Sequence, residues 1–325
     1  MEAQLAMQPR SLGATGIRVT PIGLGVMQFS GGAGPFGAGF PIMSQDEKTA
    51  LVKTALDGGI TWFDTAELYG FGQSERNLSR ALQDLGLHPG DTTVATKWWP
   101  LFRTAGNIPR SIAVRLQYLS PYPIDLYYVH QPISFSSPEA EMNAMADLVE
   151  AGKIRSVGVS NFSPERMRRA HATLAKRGLP LAANQVHYSL AHRGIETDGT
   201  LQTARELGVT IVAYTPLEYG VLTGIYHKNP ALLEQKMFYR RRRLQSQLDA
   251  TRPLVAALEE IAVQHNATPA QVALNWLVTF HGDAVVAIPG ATKVSQVEQS
   301  AGAMKFTLSP EELSRLDELS RQFLS

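Results

Sequence analysis

A chain of 325 residues, 44% of them hydrophobic, can bury a large core, and an αβ barrel reaches this length without dividing into domains. The net charge of +1 argues against nucleic acid or an anionic membrane surface as partner. Cysteine is absent, which excludes disulfides, thiolate metal sites and thiol catalysis.

Residues 1–10 contain no apolar core of signal-peptide length, and no run approaches the ~18 apolar residues of a membrane span. A soluble, cytoplasmic protein is the expectation. Ser11-Leu12-Gly13 and Ile17-Arg18-Val19 flank a glycine-bearing turn and predict a small hairpin, placed to plug the amino-terminal end of a barrel. Apolar, β-rich runs follow at 21–26, 60–63, 93–96, 126–129, 156–159, 182–184, 210–213 and 285–288. Segments of helical period separate them. In one, Leu51, Val52, Ala55 and Leu56 form a single apolar stripe. Ser44 with Glu47, Thr268 with Gln271 and Ser309 with Glu312 are spaced as capping boxes, the last two with proline at the first helical position. The long interval after the seventh strand offers two further helices, at 253–264 and 269–279.

Eight strands, mostly apolar on both faces and alternating with helices, imply a parallel sheet covered by helices. The count of eight and the even spacing favour a closed (βα)8 TIM barrel over an open doubly wound sheet. The expected fold is α/β: one domain over 1–325, with the amino-terminal hairpin plug and extra helices after strand 7.

Gly32-Ala33-Gly34-Pro35-Phe36-Gly37 matches G-x-G-x-x-G literally, but no helix signal follows until Ser44. A dinucleotide fingerprint needs a helix opening directly on the glycines, so a loop at the barrel mouth is the better reading. Arg240 to Arg243 reads as a solvated face, with a nucleotide phosphate as the functional alternative. The scattered histidines show no ligand spacing, and no metal site is proposed.

Four polar residues each stand where an apolar run ends. Asp64 closes one run and Tyr69 follows in the next loop; Lys97 and His130 close two others. In a parallel barrel all four crowd into one mouth, and a cation, a carboxylate, a phenol and an imidazole together are equipment for moving a proton. The aromatics just past the strands, Trp98, Trp99 and Phe102, with Phe29, Phe36 and Tyr219, are candidates to line the pocket.

The segment Asp64-Thr65-Ala66-Glu67-Leu68-Tyr69-Gly70 with Gly72, Ser74 and Glu75 resembles the signature of the aldo-keto reductases. So do Thr96-Lys97, Asp125 to His130, Gly158-Val159-Ser160-Asn161-Phe162, Asn184 to Ser189, Ala213 to Leu217 and Ile288-Pro289-Gly290-Ala291. The motifs occur in family order from about residue 12 to about residue 319. The chain is most similar to the bacterial and plant oxidoreductase branch that lacks a long carboxy-terminal substrate loop.

The resemblance implies a barrel that holds a nicotinamide cofactor across its mouth and reduces carbonyls reversibly. Tyr69 is then the general acid. Lys97 is expected to lower its pKa, Asp64 to orient Lys97, and His130 to hydrogen-bond the carbonyl oxygen. By matching positions, Ser160, Asn161 and Gln185 are expected to bind the carboxamide and Tyr214 to stack on the nicotinamide. Thr215, Pro216, Leu217, Gly220 and Leu222 are expected along the pyrophosphate. Ile288, Pro289, Gly290, Ala291, Thr292, Lys293, Gln296, Gln299 and Ser300 fall at the adenosine end, and Gly25, Met27 and Asp64 complete the set.

Some positions depart from the family pattern. Thr292 stands where a basic residue is usual, with Lys293 next, and Glu218-Tyr219 replaces smaller residues; Glu218 is a poor neighbour for a pyrophosphate. NADPH is the expected cofactor and NADH the alternative. The expected partner is a small-molecule carbonyl compound, without nucleic acid or membrane, and oligomeric state stays open. The rival functional reading is an NADPH-binding regulatory subunit with little turnover.

Overall fold

Side chains alternate between the two faces of a strand, and here that alternation separates a barrel interior from a helix-covered exterior. The structure, a computed structural model, describes residues 7–32, 41–234 and 238–324. Strands β1 (Arg10–Ser11) and β2 (Arg18–Val19) form an antiparallel hairpin. Among the described residues, eight parallel strands follow: β3 (Leu24–Gly25), β4 (Trp62–Asp64), β5 (Thr93–Trp98), β6 (Leu126–Val129), β7 (Ser156–Ser160), β8 (Leu181–His187), β9 (Thr210–Tyr214) and β10 (Val285–Ala287). Each pairs with the next, and parallel bridges Ile22–Ala287 and Gly25–Gly290 join last to first. The fold is the (βα)8 barrel expected from the eight runs.

Helices α1 (Gln45–Asp57), α2 (Gln73–Asp84), α3 (Ile108–Leu119), α4 (Pro138–Glu150), α5 (Pro164–Ala175) and α6 (Thr200–Leu207) lie between successive strands β3 to β9. The interval between β9 and β10 holds the short α7 (Ile225–Lys228), the long α8 (Phe238–Gln264) and α9 (Pro269–Thr279). Helices α10 (Val294–Gly302) and α11 (Pro310–Ser320) end the chain. All three capping boxes form, at Ser44, Thr268 and Ser309.

Helix α8 differs from expectation. It starts at Phe238 and runs through Pro253, where sequence logic starts it at the proline because proline lacks an N–H and crowds the preceding turn. Tertiary packing overrides that preference. Leu244 and Leu248, ahead of the proline, are buried with Val221, Tyr226 and Leu233. The Arg240–Arg243 run falls in this helix; Arg241 and Arg242 are exposed, while the side chains of Arg240 and Arg243 lie outside the described residues. So do most of the glycine-rich loop and Phe36.

Inside the barrel, Trp62, Ala95, Leu126, Tyr128, Ala183, Val212 and Val286 make one buried cluster with Leu12, Ile17 and Val19 of the hairpin region. The hairpin therefore plugs the amino-terminal end and leaves the opposite mouth for function. Filling is tight. A Cβ on Gly158 would lie 2.5 Å from the Tyr128 ring, so β7 carries no side chain where β6 carries a tyrosine.

We predict that Gly158→Ala destabilises the barrel by about 1–3 kcal/mol, the usual range for overpacking, as read from urea unfolding. Gly194→Ala, whose new Cβ meets nothing within 4 Å, serves as control and should change stability by less than about 0.5 kcal/mol. Equal midpoints for the two variants would contradict this packing.

Candidate active site

The same alternation builds the site. Ala95 faces inward, so Lys97 two residues on does as well; Trp62 places Asp64 likewise, and Leu126 and Tyr128 place His130. Carried around the barrel, the inward phase brings Ser160, Gln185, His187 and Tyr214 to the same mouth.

Lys97 is fully buried and forms an ion pair with Asp64, itself 2% exposed. Its ammonium also donates to the Thr65 carbonyl at 2.7 Å. Gln185 Nε2 donates to the second Asp64 oxygen at 2.9 Å. Burial works against the Lys97 charge, but Asp64 and the Tyr69 phenol together outweigh it and hold its pKa above the ordinary lysine value. Lys97 Nζ lies 5.1 Å from the Tyr69 ring centroid.

Tyr69 sits in the turn after β4, and Gly70 beside it allows the close approach. Gly70 has φ of +63°, and a Cβ there would stand 2.4 Å from the Ser30 carbonyl. The Tyr69 pKa differs from expectation. Burial raises it above the ordinary phenol value, and Lys97 offsets this only in part. The phenol is therefore held protonated, the state a proton donor needs.

His130 packs edge-on to Tyr69, with ring centroids 5.7 Å apart, and edge-on to Trp99 at 5.3 Å. Burial, reinforced by the Lys97 charge, pushes its pKa well below the usual histidine value. The imidazole is neutral, and its buried Nδ1 has no hydrogen-bond partner within the chain.

The tetrad is braced from behind. Glu67 accepts from the Trp99 N–H at 3.0 Å and from Arg103 at 2.8 Å, tying the Tyr69 loop to the loop after β5. Thr96, next to Lys97, donates to the buried Glu75 at 2.7 Å. Burial pushes the Glu75 carboxyl up to about 7 although Arg115 lies 2.9 Å away.

The carboxamide candidates also come together. Ser160 donates to the Gln185 carbonyl at 2.9 Å, Asn161 Nδ2 to Ser160 at 3.2 Å, and Tyr214 to Asn161 Oδ1 at 3.1 Å. Gly25 bridges Gly290, which sets Gly25 beside Ile288, Pro289 and Gly290, with Met27 two residues on in the following turn. The donor set fits a nicotinamide. Polar amides surround a half-buried aromatic ring, and the buried Gln28 Oε1 beside Met27 and the His130 Nδ1 are left unsatisfied within the chain. Gln28 escaped the sequence reading, and only its place next to Met27 could have signalled it.

Other expected residues are placed differently. Trp98 is fully buried, and its indole donates to Asn107; alternation puts it outside the barrel because Lys97 is inside. Phe29 is 1% exposed and belongs to the main core. Neither lines the mouth, whereas Trp99 does and Tyr219 is half exposed on the loop after β9. Leu222 is buried in the core. The N–H groups of Glu218, Gly220 and Leu222 bond Thr215 and Leu217 carbonyls within the loop, so they are not free for a pyrophosphate. Thr215, Pro216 and Leu217 remain on the mouth side of β9, half-exposed at Thr215 and Leu217.

At the far end, Gln296 Oε1 accepts from the N–H groups of Thr292 and Lys293, at 2.8 and 3.2 Å, and thus occupies the anion-favouring start of α10 itself. The Ser300 hydroxyl bonds the Gln296 carbonyl within the helix, and Ala291 is buried. Lys293 is exposed and Gln299 half-exposed. Among the described residues, no group of three or more histidine or acidic side chains is placed to hold a metal, and no helix is long and apolar enough to cross a membrane.

An eight-stranded barrel with an Asp–Lys–Tyr–His cluster at its mouth defines a class of barrel oxidoreductases. The sequence profile of the Aldo/keto reductase family matches residues 21–321, and the chain belongs to that family. It is therefore an NAD(P)-dependent oxidoreductase acting on carbonyl compounds. An uncharacterised oxidoreductase of Mycobacterium tuberculosis is 37% identical over 94% of this chain and 91% of its own. A probable aldo-keto reductase of Glycine max is 33% identical, over 97% and 89%. An aldo-keto reductase of Schizosaccharomyces pombe, named with NADP(+), is 34% identical over 90% and 85%. A thermostable aldo-keto reductase crystallised with the inhibitor epalrestat superposes with a TM-score of 0.77 at 32% identity, covering 96% of this chain and 100% of that one.

Two predictions follow the electrostatics. His130 should remain neutral, by NMR of the imidazole carbons, at pH values where exposed histidines are already protonated; a pKa at or above the ordinary ~6.5 would contradict its burial beside Lys97. Glu75 has a folded pKa of about 7, above its unfolded 4.5. Its contribution to stability is therefore full below pH 4.5 and is lost as pH rises through 7. Glu75→Gln should accordingly gain on the parent in urea midpoint as pH rises across that window. A parent–variant difference independent of pH would contradict the assignment.

Proposed function

We propose that this chain reduces aldehydes or ketones to alcohols with NADPH, and that Tyr69 is the proton donor. The observation that carries the reading is the buried Lys97 ammonium, held by Asp64 and Thr65 and in contact with the Tyr69 phenol. A bound NADPH supplies the hydride to the carbonyl carbon.

The chain's own residues handle the proton and the geometry. As negative charge develops on the carbonyl oxygen, Tyr69 gives up its proton, and the phenolate left behind is stabilised by Lys97. Asp64 keeps Lys97 charged and aimed, and Gln185 couples Asp64 to the amide group around Tyr214. His130, neutral and beside Tyr69, donates to the carbonyl oxygen and orients it. Trp99 packs edge-on against His130 and helps fix its ring.

Ser160, Asn161 and Gln185 hold the carboxamide and Tyr214 the ring. The choice of NADPH over NADH rests on exposed Lys293 with Thr292 at the start of α10 and on the NADP(+) named for the fission-yeast relative. Gln296 must swing away from the Thr292 and Lys293 N–H groups for a 2′-phosphate to use them.

Tyr69→Phe should lower kcat for aldehyde reduction by about 10²–10⁴-fold, the usual worth of a general acid, with little change in the NADPH dissociation constant measured by fluorescence titration. Parent-like turnover by that variant would overturn the role of Tyr69. In the same titration NADPH should bind more tightly than NADH, and the reverse order would overturn the cofactor assignment.

A further inference from the structure

Behind Tyr214 lies a cluster that the reaction itself does not use. His187, the last residue of β8, stands in register with Tyr214 of β9. Their rings are 5.4 Å apart and 12° from parallel, and His192 stacks on His187 at 3.8 Å and 15°. His187 Nε2 shares a hydrogen bond with Glu218 Oε1 at 2.5 Å, and the buried Ser189 hydroxyl donates to the same oxygen at 2.8 Å. Glu218 is 0% exposed, so a carboxylate four residues past the end of β9 turns inward, away from solvent.

Its loop is held in an unfavourable shape. Thr215, Glu218 and Tyr219 have φ of 54°, 46° and 54°, a left-handed region uncommon for side chains other than glycine. Such conformations persist where neighbouring contacts over-determine them. Besides the loop's own backbone bonds, the two hydrogen bonds from His187 and Ser189 anchor Glu218 to the end of β8 and the turn after it.

We propose that Glu218 and His187 form a positioning latch for the cofactor: Glu218 pins the loop after β9 beside Tyr214, and His187 sets the angle of the Tyr214 ring. This rests on the reading that Tyr214 receives the nicotinamide. The hydrogen bonds and ring stacks of the latch involve no residue of the tetrad, so its effect falls on how well the cofactor is held.

The test is a double-mutant cycle on the full chain with Glu218→Ala and His187→Phe; phenylalanine keeps the ring stack and loses the hydrogen bond. The NADPH dissociation constant is read by fluorescence titration, the KM for an aldehyde by turnover, and folding by thermal melting. Each single variant should weaken NADPH binding about 10-fold or more, and the double variant should be no weaker than Glu218→Ala alone, because the His187–Glu218 bond is already lost there. The aldehyde KM should stay within about 2-fold, and Glu218→Gln, whose carbonyl still accepts from His187, should recover most of the affinity. If Glu218→Ala does not fold, His187→Phe and Glu218→Gln carry the comparison. Parent-like NADPH binding by folded His187→Phe would overturn the latch while leaving the proposed function standing. Absence of NADPH binding by the parent would overturn both.

Discussion

Lys97 carries a charge into a barrel interior, where an unpaired ammonium is not tolerated. Asp64, the Thr65 carbonyl and the Tyr69 phenol are the groups that make it tolerable. Removing one partner of such a pair costs about 3–5 kcal/mol, whereas the intact pair adds little net stability. The arrangement is therefore poorly explained as a device for holding the barrel together. Its consequences fall on its neighbours. The charge opposes the burial that keeps Tyr69 protonated, and it helps keep His130 neutral. Burial thus decides both protonation states, with Lys97 working against it at Tyr69 and with it at His130.

Strand alternation is what delivers that cation to the mouth. Trp62 and Asp64, Ala95 and Lys97, Tyr128 and His130 are pairs two residues apart, the first of each filling the interior and the second finishing it with a polar group. The packed floor and the polar mouth are successive layers of one pattern. Gln185 carries the pattern across the barrel, from Asp64 to the amide group around Tyr214.

Much of this was legible in the sequence, because it depends on local signals. Apolar β-rich runs mark strands, the capping boxes at Ser44, Thr268 and Ser309 mark helix starts, and a polar residue ending an apolar run marks a mouth. What was not legible depends on distant packing or on loop shape. Burial of Leu244 and Leu248 against the β9 loop carries α8 through Pro253, and no local preference reveals it. Phe29 belongs to the core through contacts with remote elements. Trp98 could have been read correctly, since facing Lys97 inward turns its neighbour outward. Glu218 reads from sequence only as a poor neighbour for a pyrophosphate, and only the fold brings His187 and Ser189 to it. The loop that follows β9 uses its own N–H groups internally, a fact hidden until the turns are seen.

The mouth therefore has two halves with different duties. In the proposed function, the Asp64–Lys97–Tyr69–His130 half manages charge and the proton, and the Ser160–Asn161–Gln185–Tyr214 half, backed by His187 and Glu218, receives a flat amide-bearing ring. On the proposed mechanism, their link through Gln185 has hydride and proton reach the same carbonyl from fixed directions. The most direct measurement is reduction of an aldehyde with NADPH carrying deuterium at one or the other C4 position, with the label followed into the alcohol. The account predicts transfer to the carbinol carbon from one C4 position only. Transfer from both positions alike, or NADPH oxidation without label in the alcohol, would contradict it.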